Sequence, residues 1–438
     1  MEEETIASII KDSLKKESLV LLVNYLNEEI NEAITHFSFK STVLFDFSKG
    51  SKATIKALLN SEDEKELSYA IKELFLNANV ASNEQDCKSD ETLLVFQSLE
   101  HCFLADVEAD NVVRFLKNLA KTKYRILLTG NTAFPFLTYL DSMIEQKEII
   151  LYQKRVFTFS DYLKENEGIN FIKQSKKSKN GQKIIRKDFY RYLFSGGIVP
   201  LERTPSLKDS QLKIKGALFN EINNLKNSYI KKKDKEIIEA IYKSVPDELA
   251  SLNRRFQKSH LKISNAKNLN LDPYIERLKE SGSAIVIPNL KELESPLPDN
   301  NQISESKIYY PNMAYLYHTL LTKEERLLAL NDIVLSGGLY ENAVAIELAK
   351  NHKGNLYYYS DKKQGRIDFV FEQNSFLYFV MVEAGKTKKE IKLNRLLLSR
   401  LLKTNPNIGS VLILTKDSFK KIDSKTIEIP IHMLFELN

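Results

Sequence analysis

The stretch "STVLFDFSKGSKATIKALLN" (residues 41–60) joins a short apolar run of strand length to a Gly/Ser/Lys turn and then to a helical pattern. Reading outward from it, the alternation continues. Upstream, "TIASIIKDSLKKESLVLLVNYLNEEINEAI" (5–34) has apolar residues at helical spacing and reads as helix. Downstream, "DEKELSYAIKELFLNA" reads as helix, "ETLLVFQS" (91–98) as strand and "NVVRFLKNLAKT" as helix. "YRILLTGN" (124–131) is again a strand, "FPFLTYLDSMIEQ" a helix and "EIILYQ" a strand. Continuous apolar strands alternating with helices predict a parallel sheet covered on both faces.

Beyond this region the pattern changes. "FIKQSKKSKNGQKIIRK" (171–187) is basic and polar and reads as an exposed loop, followed by mostly helical patterns. "LDPYIERLKESGSAIVIPNL" reads as helix, tight glycine turn and strand, the shape of a recognition helix and wing. "ELESPLPDNNQISES" (292–306) has linker composition. Then come a helix in "GLYENAVAIELAKN", strands in "NLYYYSD", "GRIDFVFEQ" and "FLYFVMVEAG", an amphipathic helix in "KKEIKLNRLLLSRLLKT", and strands in "GSVLILT" and "TIEIPI". That order predicts a small α/β domain with a mixed sheet. The expected division is 1–165, 166–235, 236–305 and 306–438.

The chain has 438 residues, 43% hydrophobic and 28% charged, which suits several globular domains and excludes a disordered or collagen-like chain. No apolar run reaches the ~18–20 residues of a membrane helix. The start, "MEEET", is acidic where a signal peptide is basic. Two cysteines make no disulfide framework, so a cytoplasmic location is expected. A net charge of +6 permits a nucleic-acid partner without requiring one.

A phosphate-binding loop needs a strand, a glycine-rich turn, Lys and Ser/Thr, then a helix. Aligning Lys52 with the motif lysine places Asp46 and Ser51 at the glycines and Ala53 at the hydroxyl, with Gly50 and Thr54 each one residue out of place. The acidic pair wanted at the end of a later strand is replaced by Gln97 and Ser98. Asn131, after the next strand, is placed to sense a γ-phosphate or to cap a helix, and Arg155 is placed as an arginine finger or a structural arginine.

With "LLTGNTA", "VFTFSDYL" (156–163), "YLFSGGIVP" (192–200), "SKIYYPNMAYLY" (306–317), "GGLYENAVAIEL" (337–348), "YYYSDKKQGRIDFVFE" (357–372) and "VMVEAGK" (380–386) in this order, the chain resembles a family of AAA-type ATPases. These carry a winged helix and a C-terminal domain of unknown function with a PD-(D/E)xK nuclease-like fold. The resemblance implies an α/β fold class: a P-loop domain, a helical and winged-helix middle region, and a restriction-endonuclease-like C-terminal domain. It implies ATP with Mg²⁺ as the cofactor, if there is one. In the nuclease-like domain it implies Asp368 as a metal ligand and Glu341 as the helix acid. One alignment puts Met381 at the strand Glu and Glu383 at the Lys. The other puts Glu383 at the Glu and Gly385 at the Lys, with Lys386 pointing to the opposite face. The alternative to a metal set is a pair of hydrogen-bonded fold acids, for example partnered by Arg366.

Basic clusters supply the expected nucleic-acid contacts: Lys176, Lys177 and Lys179 in the loop, and Arg254, Arg255 and Lys258 before the presumed recognition helix. The expected partners are DNA or RNA, or a protein such as an active paralogue. Both phosphate and metal sites depart from the family pattern at several positions, so the reading favours a regulatory or binding scaffold. A nucleotide-switched ATPase is the alternative.

Overall fold

The computed structural model describes residues 7, 10–11, 19–23, 27–37, 39–77, 92–99, 101–102, 109–122, 124–130, 140, 143–146, 148–153, 157–167, 178–196, 207–227, 231–264, 266–298, 305–320, 333–352, 354–361 and 365–437. The chain forms two compact units. One comprises Met1–Lys154 with Asn224–Lys235, the other Arg155–Asn223 with Glu236–Asn438.

The first unit holds five strands: β1 (Leu19–Val23), β2 (Ser41–Asp46), β3 (Thr92–Gln97), β4 (Arg125–Gly130) and β5 (Ile149–Gln153). Their order is β2-β3-β4-β1-β5 and every pair is parallel. The connections include α1 (Asn27–Ile34), α2 (Lys52–Leu59), α3 (Glu64–Asn77) and α4 (Ala109–Lys121). Leu19, Leu21 and Val23 join the core on one face, while Val20 and Leu22 join the core on the other. Both faces of the sheet are therefore covered, as the continuous apolar strands predict. One strand departs from expectation. Residues 19–23 lie inside a stretch that reads as helix, yet "LVLLV" is the strand beside β4 and β5.

In the second unit, α5 (Phe159–Glu167), α6 (Lys179–Ser195), α7 (Leu207–Asn227) and α8 (Lys232–Leu249) come before α9 (Asp272–Glu280). The last few residues of α7 and the first few of α8 belong to the first unit. The basic stretch read as loop is already helical from Lys179, with the Ser178 hydroxyl capping it by accepting from the Gly181 N–H. Strands β6 (Ile285–Leu290) and β7 (Ser306–Tyr309) follow, then α10 (Met313–Leu320) and α11 (Ile333–Asn351). Next come β8 (Tyr357–Asp361), β9 (Gly365–Gln373), β10 (Phe376–Val382), α12 (Lys388–Thr404), β11 (Ile408–Thr415), β12 (Lys420–Lys421) and β13 (Thr426–Pro430). The eight strands form one mixed sheet in the order β12-β13-β11-β10-β9-β8-β6-β7.

The expected wing is thus part of this sheet. Strand β6 pairs antiparallel with β7 and parallel with β8, so residues 236–305 and 306–438 share one unit. Thr387 and Glu390 form a capping box that starts α12, whose Leu397 and Leu398 pack on Ile367, Phe379 and Met381 of the sheet. No described helix is long and apolar enough to cross a membrane.

Candidate functional site

Two places carry the residues that the sequence singles out. In the first unit the chain leaves β1 toward β2 on one side, and leaves β4 toward β5 on the other. Ligand crevices of open parallel sheets lie outside the carboxyl ends of strands at such a reversal. That crevice is bounded by Val23 and Gly130, which are register partners. Gly50, Ser51, Lys52 and Thr54 instead follow β2, the edge strand, which β3 and β4 separate from the crevice. Asn131 and Arg155 lie outside the described residues.

The turn after β2 is closed on itself. The Ser48 N–H and hydroxyl donate to Asp46 Oδ1 at 3.0 and 2.6 Å, and the Lys49 and Gly50 N–H groups donate to the Asp46 carbonyl, both at 3.0 Å. The Thr54 N–H donates to the Ser51 hydroxyl at 3.1 Å. A phosphate cradle turns such N–H groups outward to the anion, whereas these are already bonded. Burial pulls Asp46 upward, but hydrogen bonds from Ser48 and Ser98 and the charge of Lys49 hold it below the ordinary carboxylate value. A carboxylate thus stands where a triphosphate would need a glycine. Gln97 is buried and donates to Asn31 Oδ1 at 3.0 Å. The Ser98 N–H donates to Thr129 Oγ1 at 3.3 Å.

The second place is a buried ionic cluster in the second unit. Lys307 and Tyr309 sit two apart on β7 and so share a face. Both reach Glu341 Oε1 on α11, the Lys307 ammonium at 2.6 Å and the Tyr309 hydroxyl at 2.8 Å. Arg254 Nη1 donates to Glu341 Oε2 at 3.1 Å, and its Nη2 donates to the Gly385 carbonyl at 3.0 Å. On β9, Asp368 Oδ2 accepts from the Val382 N–H at 2.8 Å and from the Lys386 ammonium at 2.5 Å. Arg366 Nε lies 3.3 Å and Lys307 Nζ 3.7 Å from Asp368 Oδ1. Two carboxylates are therefore held by four cations, and Lys307, Glu341, Asp368 and Lys386 are fully shielded from water.

The electrostatics follow from that crowding. Burial alone would raise Glu341, but Lys307, Arg254 and Arg366 hold it well below the ordinary carboxyl range. Asp368 is likewise lowered against the pull of burial, first by Lys386 and then by Lys307 and Arg366. Burial, with the nearby positive charges of Arg366 and Arg254, pushes Lys386 down to about 8 despite Asp368.

The expected metal set is not assembled here. Glu341 and Asp368 come together, but Lys307 bridges them. Glu383 faces away from them and takes both Arg395 Nε and Nη2 at 2.7 Å, the same guanidinium that reaches Glu428 at 2.6 Å. Among the described residues, no three His, Cys, Asp or Glu side chains converge on a metal position. Ammonium and guanidinium groups standing against the acids repel a divalent cation, and the partnership of Asp368 with Arg366 is the fold-acid alternative. Lys386 does not point to the opposite face. Strand alternation ends at Val382, and Gly385, at φ +75°, turns the chain so that Lys386 comes back onto Asp368. A Cβ on Gly385 would run into the Gly337 backbone, so both glycines serve this close approach.

Of the expected nucleic-acid contacts, Lys176 and Lys177 lie outside the described residues, while Lys179 and Arg255 are exposed. The ammonium of Lys258 donates to the Leu269 carbonyl at 3.1 Å. Arg254 has to be withdrawn from the set, because it is 1% exposed and bound to Glu341 and Gly385. The members of the ionic cluster that sequence reasoning missed are Arg254, Lys307 and Tyr309. A Lys-x-Tyr spacing on a strand is the only signal they leave.

Comparison with known families matches residues 336–434 to a domain of unknown function, DUF4143. The match runs from the first turn of α11 through β13, and includes Glu341, Asp368 and Lys386. No curated protein matches the chain.

Proposed function

We propose that this chain is a non-cleaving scaffold of AAA-type ATPase descent, whose nuclease-like unit binds a nucleic-acid or protein partner. The observation that carries the reading is the enclosure of Glu341 and Asp368 by four cations, Arg254, Lys307, Arg366 and Lys386. Metal-dependent phosphodiester cleavage needs carboxylates free to ligate Mg²⁺ beside a placed water, and here ammonium and guanidinium groups hold the place of the metal. A domain often found with ATPases, joined to a parallel α/β sheet, is compatible with that descent. The exposed face of α12 supports a polyanionic partner. It carries Lys388, Lys389, Lys392, Arg400 and Lys403, and its one acid, Glu390, is taken up by the capping box.

The expected outcome is no Mg²⁺- or Mn²⁺-dependent cleavage of single- or double-stranded DNA or RNA above background. Binding to the same oligonucleotides should weaken steeply with salt if ~5 or more phosphates are contacted. Cleavage that appears only with metal overturns the reading, as does binding that is absent at low salt for nucleic acid and for a paralogue alike.

The strand order of the first unit favours a second reading, in which nucleotide occupies the crevice between β1 and β4 and switches the protein. Thermal shift with ATP, ADP and Mg²⁺ tests it. Saturation at about a hundred times the dissociation constant adds ~2.7 kcal/mol to stability, a shift of several degrees. If that shift persists in Lys52→Ala, the ligand sits away from the turn after β2.

A further inference from the structure

Strand β6 pairs with β8 only at Asn289 and Leu290, while Ile285–Pro288 has β7 alone as a partner. Where β6 parts from β8, a cleft of about 640 Å³ opens between the start of α9, β6 and the α11–β8 turn. That volume lies within the range of small-ligand sites, roughly 300–1,000 Å³. It is separate from the ionic cluster and from the crevice of the first unit.

The chemistry of its walls is one-sided. Ile285, Ile287 and Tyr357 supply an apolar lining. Asp272 and Glu276, four apart on α9, lie on one side of that helix and both line the cleft. His352 lines it from the end of α11, its ring packed against Phe371 with centroids 4.5 Å apart. Asp272 Oδ1 and His352 Nε2 are both buried without a hydrogen-bond partner, and a buried polar atom left unmatched is costly. Gly354 packs beside the imidazole, and a Cβ there would stand 2.8 Å from Nε2. Burial lowers the affinity of His352 for a proton, so the ring is neutral at neutral pH and can offer a lone pair. The one basic side chain in the lining, Lys279, is exposed and stands 3.6 Å from Glu276.

The apolar lining is thus bordered by two carboxylates and an unpartnered imidazole nitrogen, with the amides of Asn270 and Asn355 as the other uncharged polar side chains. We propose that this cleft binds an organic cation, an ammonium or guanidinium group on an aliphatic stem. The stem lies along Ile285 and Ile287, and the cationic head donates to Asp272, with Glu276 and His352 as further acceptors. A free polyamine and the lysine or arginine side chain of a partner peptide share this chemistry. The inference goes beyond the scaffold reading and does not depend on it.

The experiment is calorimetric titration of the full chain with putrescine, agmatine and spermidine. A parallel arm uses short peptides capped at both ends and centred on Lys or Arg. Saturable binding is expected with a dissociation constant near or below about 1 mM, a binding free energy of about −4 kcal/mol. It should weaken at least tenfold in Asp272→Asn. Gly354→Ala, which leaves every charge in place and fills the space beside His352, should weaken it too. Glu276→Gln, at a half-exposed position, serves as a further variant should either of the others unfold. Binding by the free amines alone assigns a metabolite, and binding by the capped peptides alone assigns a partner side chain. Three results overturn the proposal: no saturable heat from any probe, equal affinity in wild type and in the folded variants, or the same heat from KCl at matched ionic strength.

Discussion

Glu341→Ala is expected to destabilise the second unit by about 3–5 kcal/mol, the range for removing one partner of a buried ion pair. The carboxylate accepts from Lys307, Arg254 and Tyr309, and no water reaches it. Its loss leaves the Tyr309 phenol and Arg254 Nη1 without their acceptor and Lys307 with only the more distant Asp368. Glu341→Gln keeps the shape and should still lose most of this stability, because the charge is what offsets the two cations. Lys307→Met is expected to cost much less. The cluster has more cations than carboxylates, and a methionine of similar volume relieves repulsion with Arg366 while giving up one bond. Urea unfolding followed by a probe in the second unit measures all three, and in thermal unfolding a shift in midpoint temperature of about 10 °C is expected for the alanine variant. The asymmetry separates two accounts of the acids. In a metal-free catalytic site, truncating one carboxylate relieves repulsion between ligands and stabilises the protein. In an ionic lock it does the reverse. Glu341→Ala that proved neutral or stabilising would reject the lock, and with it the main support for a non-cleaving scaffold.

How far these features could be read from the sequence depended on which physical signal each element leaves. Strands β9 and β10 were legible because Gly and Asn-Ser turns punctuate them and aromatic and β-branched residues fill them. Strand β1 was not. Buried on both faces, "LVLLV" has no alternation, and a short apolar run flanked by Lys and Glu fits a helix equally well. The helix reading also hid the strand that flanks the crevice. The acids Glu341 and Asp368 could be picked out from their family-like surroundings, and Arg366 as a partner beside them. The other counter-ions could not. Arg254 sits in a basic run that looks solvated, and its burial comes from packing against Gly337 and Gly385, residues distant in sequence. Lys386 was assigned to the wrong face because strand alternation was carried past Val382 into a glycine turn, where it no longer holds.

A second buried acid gives the protein a pH dependence of opposite sign. Glu347 of α11 docks on the first turn of α5. Its Oε2 accepts from the Phe159 N–H at 3.1 Å and its Oε1 from the Ser160 hydroxyl. Asp161, which caps the same turn through Thr158 and pairs with Lys350, is close by. Burial, the largest influence, together with the negative charge of Asp161, pushes Glu347 up to about 7, against the hydrogen bonds from Ser160 and Phe159. Above pH ~4.5 the unfolded chain has already released this proton, while the folded chain keeps it until pH approaches 7. Stability from this group is thus fully present in acid and falls as pH rises through that window, by about 3 kcal/mol in all. Glu341 and Asp368, lowered in the folded state, contribute the opposite slope, but theirs is spent below the ordinary carboxyl values of 4.5 and 3.8. Between pH 5 and 8 the Glu347 slope therefore stands apart from theirs. Glu347→Gln, which stays neutral and keeps an oxygen for the Phe159 N–H, should lose that slope and be more stable than wild type at pH 8 while matching it near pH 5. Urea midpoints for both proteins across this range decide the matter. Parallel pH profiles would mean that the Glu347 carboxylate is already ionised throughout, stabilised by the N-terminus of α5.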